Sequence, residues 1–169
     1  TINDVSVTEG NSGTTAAQFT ISLSFASTQL VEVDWVAAGG TATLADNDFQ
    51  SASGRASFAP GVTQQTVSVP VVGDTKFEPN ETFVVDLSNP LFGVIADAQG
   101  QGTILNDDTA PKISIDDVWV VEGNAGTTNA VFTVTLSAPS GQLVTVAFAT
   151  ANETAIAPGD YATQSGTLT

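Results

Sequence analysis

Short apolar runs with a period of two recur along the chain, and no long stretch shows the period of a helix. In one run, Phe19, Ile21 and Leu23 alternate with polar residues, which is typical of a half-buried β-strand. Gly, Asn, Asp and Pro separate the runs, as turns require. The pattern predicts an all-β fold, an immunoglobulin-like antiparallel β-sandwich of two sheets with about seven strands per complete domain. The predicted strands of the first domain are 2–8, 16–24, 30–37, 49–58, 64–72, 81–88 and 99–105.

The chain repeats itself over the length of a domain. Shifted by 113 residues, "INDVSVTEGNSGTTAAQFTISLS" aligns with "IDDVWVVEGNAGTTNAVFTVTLS". After a gap of one residue, "NDF" at 47–49 meets "GDY" at 159–161. The repeat predicts a complete domain at 1–108, a short linker at 109–111 and the N-terminal half of a second domain at 112–169.

The second copy would contain only about four of the seven strands, which leaves open strand edges and an uncovered apolar face. The chain also lacks an initial Met, which indicates a fragment or a mature product. Two interpretations stay open. The chain is an excerpt of a longer array, or strands of another chain complete the second copy.

The composition excludes several kinds of chemistry. Cys, His and Met are absent, which removes disulfides, imidazole catalysis and the usual zinc sites. The chain has 18 acidic and 3 basic residues, a net charge of −15. Such a surface does not suit nucleic acid or anionic lipid, and no apolar run approaches the ~18 residues of a membrane span. We therefore expect no nucleic-acid partner, no direct membrane insertion and no enzymatic activity.

Most acidic residues of the first copy fall at one predicted end of the sandwich. If successive strands run antiparallel, the loops after the first, third and fifth strands share that end with the tail after the seventh. The opposite end carries a single acid, Asp97. Glu32 and Asp34, on one strand, are interpreted as a solvated face. The acids at the crowded end are Glu9, Asp46, Asp48, Asp74, Glu78, Glu81, Asp107 and Asp108.

This concentration of negative charge needs a counterion. Like charges ~4 Å apart repel by roughly 1–4 kcal/mol per pair, and Lys76 is the only cation in these segments. Ca²⁺ takes about six to eight oxygen ligands from carboxylates, carbonyls and water. The simpler alternative is that these acids merely favour turns and water. The one-sided distribution favours a calcium site.

Four stretches of the first copy also resemble a known family: "VSVTEGNSGTT", "GTATLADNDF", "VSVPVVGDTKFEPNETFVVDLSNP" and "GQGTILNDD". Together they resemble the Calx-β domain, which is found in sodium/calcium exchangers, in integrin β4 and in arrays of bacterial surface proteins. The resemblance covers nearly all of 1–108. The second copy matches through "VWVVEGNAGTT" and "PGDYATQSGTLT".

In calcium-binding members of that family, ligands come from the "EG" glutamate, the aspartate of "DF" or "DY", the acidic run between the fifth and sixth strands, and the terminal acidic triplet. Gly73 and Asn106 stand where strong binders have acids, which implies fewer ions or weaker binding. The resemblance implies calcium ligands at Glu9, Asp48, Asp74, Glu78, Glu81, Asp107 and Asp108, with Glu122 and Asp160 as their counterparts in the second copy.

The leading functional hypothesis is a calcium-binding structural or adhesive module of an extracellular, cell-surface repeat protein. In it, Ca²⁺ would stiffen the loops and the joint between copies, with the acidic end near Asp116 and Asp117. One alternative is a cytosolic calcium-sensor domain, as in sodium/calcium exchangers. Another is a ligand-binding sandwich with incidental or no calcium. The expected partners are calcium ions and neighbouring repeats, or another chain that completes the second copy.

Overall fold

Seven strands make up the first copy in the computed structural model, which describes residues 1–169. Each overlaps one of the predicted strands. The strands are β1 (Val5–Thr8), β2 (Thr14–Ser22), β3 (Val31–Gly39), β4 (Ser53–Phe58), β5 (Gln64–Val72), β6 (Glu81–Leu91) and β7 (Gln99–Leu105).

Two sheets face each other. One has the order β1-β7-β6-β3-β4, and the other pairs β2 with β5. β1 and β7 are parallel, and the remaining pairs are antiparallel. Odd-numbered strands therefore run in one direction and even-numbered strands in the other. The loops after β1, β3 and β5 emerge at one end of the sandwich together with the segment after β7, as predicted.

Two predicted strands begin too early because the chain changes sheets at those points. Ile2 pairs with Ile21 of β2, whereas Val5 pairs with Gly102 of β7. Phe49 likewise forms an isolated bridge with Val71 of β5 before the chain joins β3. An alternating pattern reports which residues are buried, and it does not report which sheet supplies the hydrogen bonds.

Alternate residues of both sheets meet in one core. The ring of Phe83 lies edge-to-face with Phe19 at 5.9 Å and is stacked on Phe49 at 5.0 Å. A Cβ atom on Gly102 would lie 2.3 Å from the Phe83 ring, so the ring occupies space that only glycine leaves free. Since 17 apolar residues form this cluster, the strands hold the loop ends in fixed positions.

Arg55 forms ion pairs with two acidic residues on the outer face of the larger sheet. Its Nε donates to Asp34 Oδ1 at 2.7 Å, and its Nη1 lies 3.4 Å from Glu32 Oε2. This cross-strand pairing lowers the pKa of Asp34. The predicted solvated face is thus an exposed ion-pair ladder, away from the acidic loops.

The second copy forms only hairpin-like fragments. Its Ile115–Val134 pair repeats the Ile2–Ile21 pair of the first copy. Residues 112–169 include no buried residue, and Trp119 is 99% exposed. The apolar face is therefore uncovered, as expected from the missing strands. The strands are β8 (Ile113–Ile115), β9 (Val134–Leu136), β10 (Val146–Ala149) and β11 (Ser165–Leu168), and they pair as β8-β9 and β10-β11.

No helix of sufficient length and apolar character to span a membrane is present.

Candidate metal centre

Four segments meet at one end of the first copy, which we call the acidic pole. It consists of the eight predicted acids, which lie in the loops after β1, β3 and β5, at the first residue of β6 and in the tail after β7. Hydrogen bonds tie the segments together. Gly10 N donates to Asp107 Oδ1 at 3.1 Å, Gly73 N donates to Gly13 O at 3.1 Å, and Val72 N donates to the Asp48 carbonyl at 2.9 Å. The predicted convergence of these loops is therefore present.

Glu9 lies at the centre of this pole. Its backbone N–H donates to Leu105 O at 3.2 Å, and its carbonyl accepts from Thr15 Oγ1 at 3.1 Å, so both neighbouring strands fix it. The residue is only 6% exposed. The pKa of Glu9 is raised from 4.5 to about 7, chiefly by burial and then by the charges of Asp74, Asp108, Glu78 and Asp107, in that order. A buried carboxylate that faces four others is unstable without a proton or a cation.

Gly73 explains how the first two loops approach so closely. A Cβ atom at this position would lie 2.2 Å from Gly10 O and 2.6 Å from Glu9 O. The glycine that departs from the family pattern is therefore required by backbone packing. An aspartate there would push the β1–β2 loop, and Glu9 with it, away from the pole.

Asp48 and Glu81 form a second group of acids at the acidic pole. Asp48 is 8% exposed, and its Oδ2 accepts from Thr43 N at 2.6 Å. The pKa of Glu81 is raised to about 7, chiefly by burial, then by the charge of Asp48 and a hydrogen bond with it, and then by the charges of Glu78 and Asp46. With a pKa of about 7, Glu81 is partly protonated near neutral pH.

Glu78 connects the two groups, because its charge acts on both Glu9 and Glu81. It also forms a salt bridge through Oε1 with Lys76 Nζ. The Lys76 backbone N–H donates to Asp74 Oδ1 at 2.7 Å. The segment between Asp74 and Glu78 is thus held by its own internal contacts.

The tail after β7 contributes an unpartnered oxygen. Asp108 Oδ2 is buried and has no hydrogen-bond partner. Burial, then the charges of Asp107 and Asp74, raise the pKa of Asp108. Buried polar atoms without partners are rare in folded proteins. Such an atom among like charges fits a site for a hard cation, since carboxylate oxygens are the ligands that Ca²⁺ prefers.

Asn106 has a structural role that the sequence did not reveal. Its Oδ1 accepts from Glu78 N at 3.3 Å, and its Nδ2 donates to the Asp108 carbonyl at 3.0 Å. Its backbone N–H donates to Asn80 Oδ1 at 3.0 Å. The amide joins the tail to the β5–β6 loop, which an aspartate could not do in the same way because it lacks a donor.

No three acidic side chains already form a ready-made metal-binding group. Glu78 is paired with Lys76, and Glu81 interacts with Asp48. The residues present fit a calcium site in their chemistry. Glu78 and Glu81 would have to leave their present partners to serve as ligands.

The two predicted ligands of the second copy are both exposed. Asp160 Oδ2 accepts from Ile156 N at 2.7 Å, which repeats the bond between Asp48 and Thr43. Glu122 lies in the loop between β8 and β9. Residues 112–169 contain no counterpart of the β5–β6 loop or of the acidic tail, so these two acids stay predictions.

The joint between copies differs from expectation. Gly141 N donates to Phe77 O at 2.9 Å, and Ser140 forms a parallel bridge with Phe77. The β9–β10 loop of the second copy therefore contacts the acidic pole, a contact that the sequence did not predict. Asp116 accepts from Thr133 N at 2.6 Å within its own copy.

The Calx-beta domain family matches the chain in two adjacent segments, residues 3–109 and 106–169. The sodium/calcium exchanger Calx of Drosophila melanogaster is 33% identical over 139 residues. That alignment includes 81% of this chain and 13% of the exchanger, so the chain spans a small part of this relative's length.

Two solved structures share the fold. CBD12 from CALX1.2 is 27% identical with a TM-score of 0.57, over 69% of this chain and 48% of that chain. The calcium binding domain CBD12 of CALX1.1 is 24% identical with a TM-score of 0.57, over 99% of this chain and 69% of that chain. At its lower identity the second likeness shows the fold alone. The predicted immunoglobulin-like β-sandwich is confirmed.

These relatives correct the predicted location. The expectation of an extracellular, secreted or cell-surface adhesive protein is wrong, because the relative found is a sodium/calcium exchanger. The resemblance drawn from the sequence motifs is confirmed in both copies, since the family match extends over nearly the whole chain. The chain belongs to the Calx-beta domain family.

Proposed function

We propose that this chain is a calcium-binding regulatory module that acts as a cytosolic calcium sensor, which is one alternative that the sequence left open. The observation that carries the proposal is Glu9, a buried carboxylate whose pKa is raised to about 7 by burial and by the charges of four other carboxylates. The unpartnered oxygen of Asp108 supports it independently. The proposal assigns no catalytic step, because neither His nor Cys is available.

The residues that would hold calcium are the acids of the four converging segments. The charges of Asp74, Asp108 and Glu78 act on Glu9, and those of Glu78 and Asp48 act on Glu81. Bound calcium would supply positive charge that offsets the repulsion among these groups. Glu9 and Glu81 would then be ionised, which they are not fully at neutral pH in the metal-free chain.

The contact between the second copy and the acidic pole could carry the effect of calcium binding from the first copy to the second. Its Gly141 lies against the side chains of Lys76 and Glu78, since an added Cβ atom would be 2.9 Å from Lys76 Cε. A rearrangement of Glu78 therefore changes the surface on which the second copy rests. We infer that calcium stiffens or re-orients this joint, which is the response that a sensor requires.

We expect Ca²⁺ to change amide signals in a specific pattern, measured by ¹H–¹⁵N correlation spectra during a titration of the whole chain. Signals of the four pole segments and of the loop around Gly141 should shift. Signals of the loop between β6 and β7, at the opposite end, should stay in place and serve as the internal control. Unchanged spectra, or shifts confined to that opposite loop, would refute the proposed site.

A further inference from the structure

Lys76 is the only basic side chain at the acidic pole. The chain has three basic residues. Arg55 is bound to Asp34 on the larger sheet, and Lys112 lies at the start of the second copy, where its backbone N–H donates to Ser137 Oγ at 2.8 Å. Lys76 Nζ is bonded to Glu78 Oε1. Lys76 is therefore paired with Glu78, the acid whose charge acts on both Glu9 and Glu81.

The surroundings hold this ion pair in place. The side chain of Glu78 is 15% exposed and that of Lys76 is 39% exposed. The second copy covers both, because a Cβ atom on Gly141 would lie 2.4 Å from Glu78 Oε1 and 2.9 Å from Lys76 Cε. A larger residue at this position would have to displace these two side chains. The ammonium group is thus positioned as a fixed counterion within the cluster.

The ion pair and a metal would compete for the same oxygen. Glu78 contributes charge toward Glu9 on one side and toward Glu81 on the other, and the buried Asp108 Oδ2 close by lacks any partner. A carboxylate in a short ion pair must exchange that partner before it can bind a metal. Lys76 therefore already neutralises part of the negative charge that would attract a metal ion to the acidic pole.

Building on the proposed function, we propose that Lys76 is a tethered counterion that occupies Glu78 in the calcium-free chain and lowers the calcium affinity of the site. Lys76 must release Glu78 when the metal binds. Because Gly141 rests on this pair, the release also alters the contact with the second copy. Lys76 is a positioning residue in this arrangement, and it is not itself a ligand.

The test compares the whole parent chain with Lys76→Gln, Lys76→Met and the charge-matched control Lys112→Gln. Lys76→Met keeps the apolar stem that packs beneath Gly141. Calorimetric titration with CaCl₂ should show about fivefold tighter binding for both Lys76 variants, the change expected for loss of one partly exposed ion pair. Lys112→Gln should bind like the parent chain.

Melting curves separate competition from a merely structural role. Both Lys76 variants should melt below the parent chain in chelator, where the acids lose their counterion, and with the parent chain in saturating calcium. A lower melting temperature under both conditions would show a structural ion pair only and would overturn the inference. So would unchanged or weaker calcium binding by both variants while the parent chain binds. Absence of binding in every variant would instead overturn the proposed function, and binding by the Lys76 variants alone would support the inference strongly.

Discussion

Replacing Glu9 by Gln is expected to weaken calcium binding by about 10–100-fold, because the site loses a charged central ligand. The same change should raise the melting temperature of the calcium-free protein by about 5–10 °C. The carboxylate is 6% exposed among four like charges, and its removal relieves roughly 1–2 kcal/mol of repulsion after solvent screening. A substitution that stabilises the fold while it damages binding is typical of a functional site.

Calorimetric titration and differential scanning calorimetry of the variant in chelator measure these two effects. Asp97→Asn is the control, since it removes one negative charge from the opposite end of the sandwich. It should leave both calcium affinity and the melting temperature close to those of the parent chain. If Glu9→Gln destabilises the calcium-free protein, or binds calcium as tightly as the parent, Glu9 does not have the role assigned to it.

The stability of the calcium-free protein is expected to fall as the pH rises from about 5 to about 7.5. Glu9 and Glu81 have pKa values of about 7 in the folded chain against an ordinary 4.5. Between these values the folded state binds more protons than the unfolded state, so each increase in pH favours unfolding. Below the ordinary pKa both states are protonated at these groups, and the penalty is absent.

Calcium should reverse this trend, because the ionised carboxylates become ligands. At calcium ~100-fold above its dissociation constant, binding adds about 2.7 kcal/mol, which corresponds to a rise of roughly 10–15 °C in melting temperature for a domain of this size. The increase should be large at pH 7.5 and small at pH 5, where protons compete with the metal. Melting curves across this range, with calcium or chelator, give the comparison. Equal calcium effects at both pH values would contradict the assignment of raised pKa values to ligand groups.

Much of this fold could be predicted from the alternation of apolar residues. The ends of β5 and β7 agree with the predicted 64–72 and 99–105 at both termini, because turn residues and loops bound them clearly. The start of β1 was misjudged since Ile2 and Val5 are both apolar yet pair in different sheets. Sheet membership depends on the path of the chain in space, which a local pattern does not contain.

The set of loops at the acidic pole could also be predicted, since the alternating direction of successive strands decides which loops share an end. The roles of its non-acidic residues could not. Gly73 and Asn106 looked like missing ligands in the sequence, yet one permits a close backbone approach and the other joins two segments. The pairing of Lys76 with Glu78 and its cover by Gly141 depend on the docking of the second copy. Both are tertiary contacts without a signal in the spacing of residues.

Calorimetric titration of the whole chain with Ca²⁺ at pH 7, repeated in two buffers with different heats of ionisation, tests the central claim most directly. The claim is that buried acids at one end of the sandwich hold protons near neutral pH and exchange them for calcium. We predict saturable binding with release of protons to the buffer, and a smaller release from Glu9→Gln. Absence of binding, or binding with the same heat in both buffers, would contradict it.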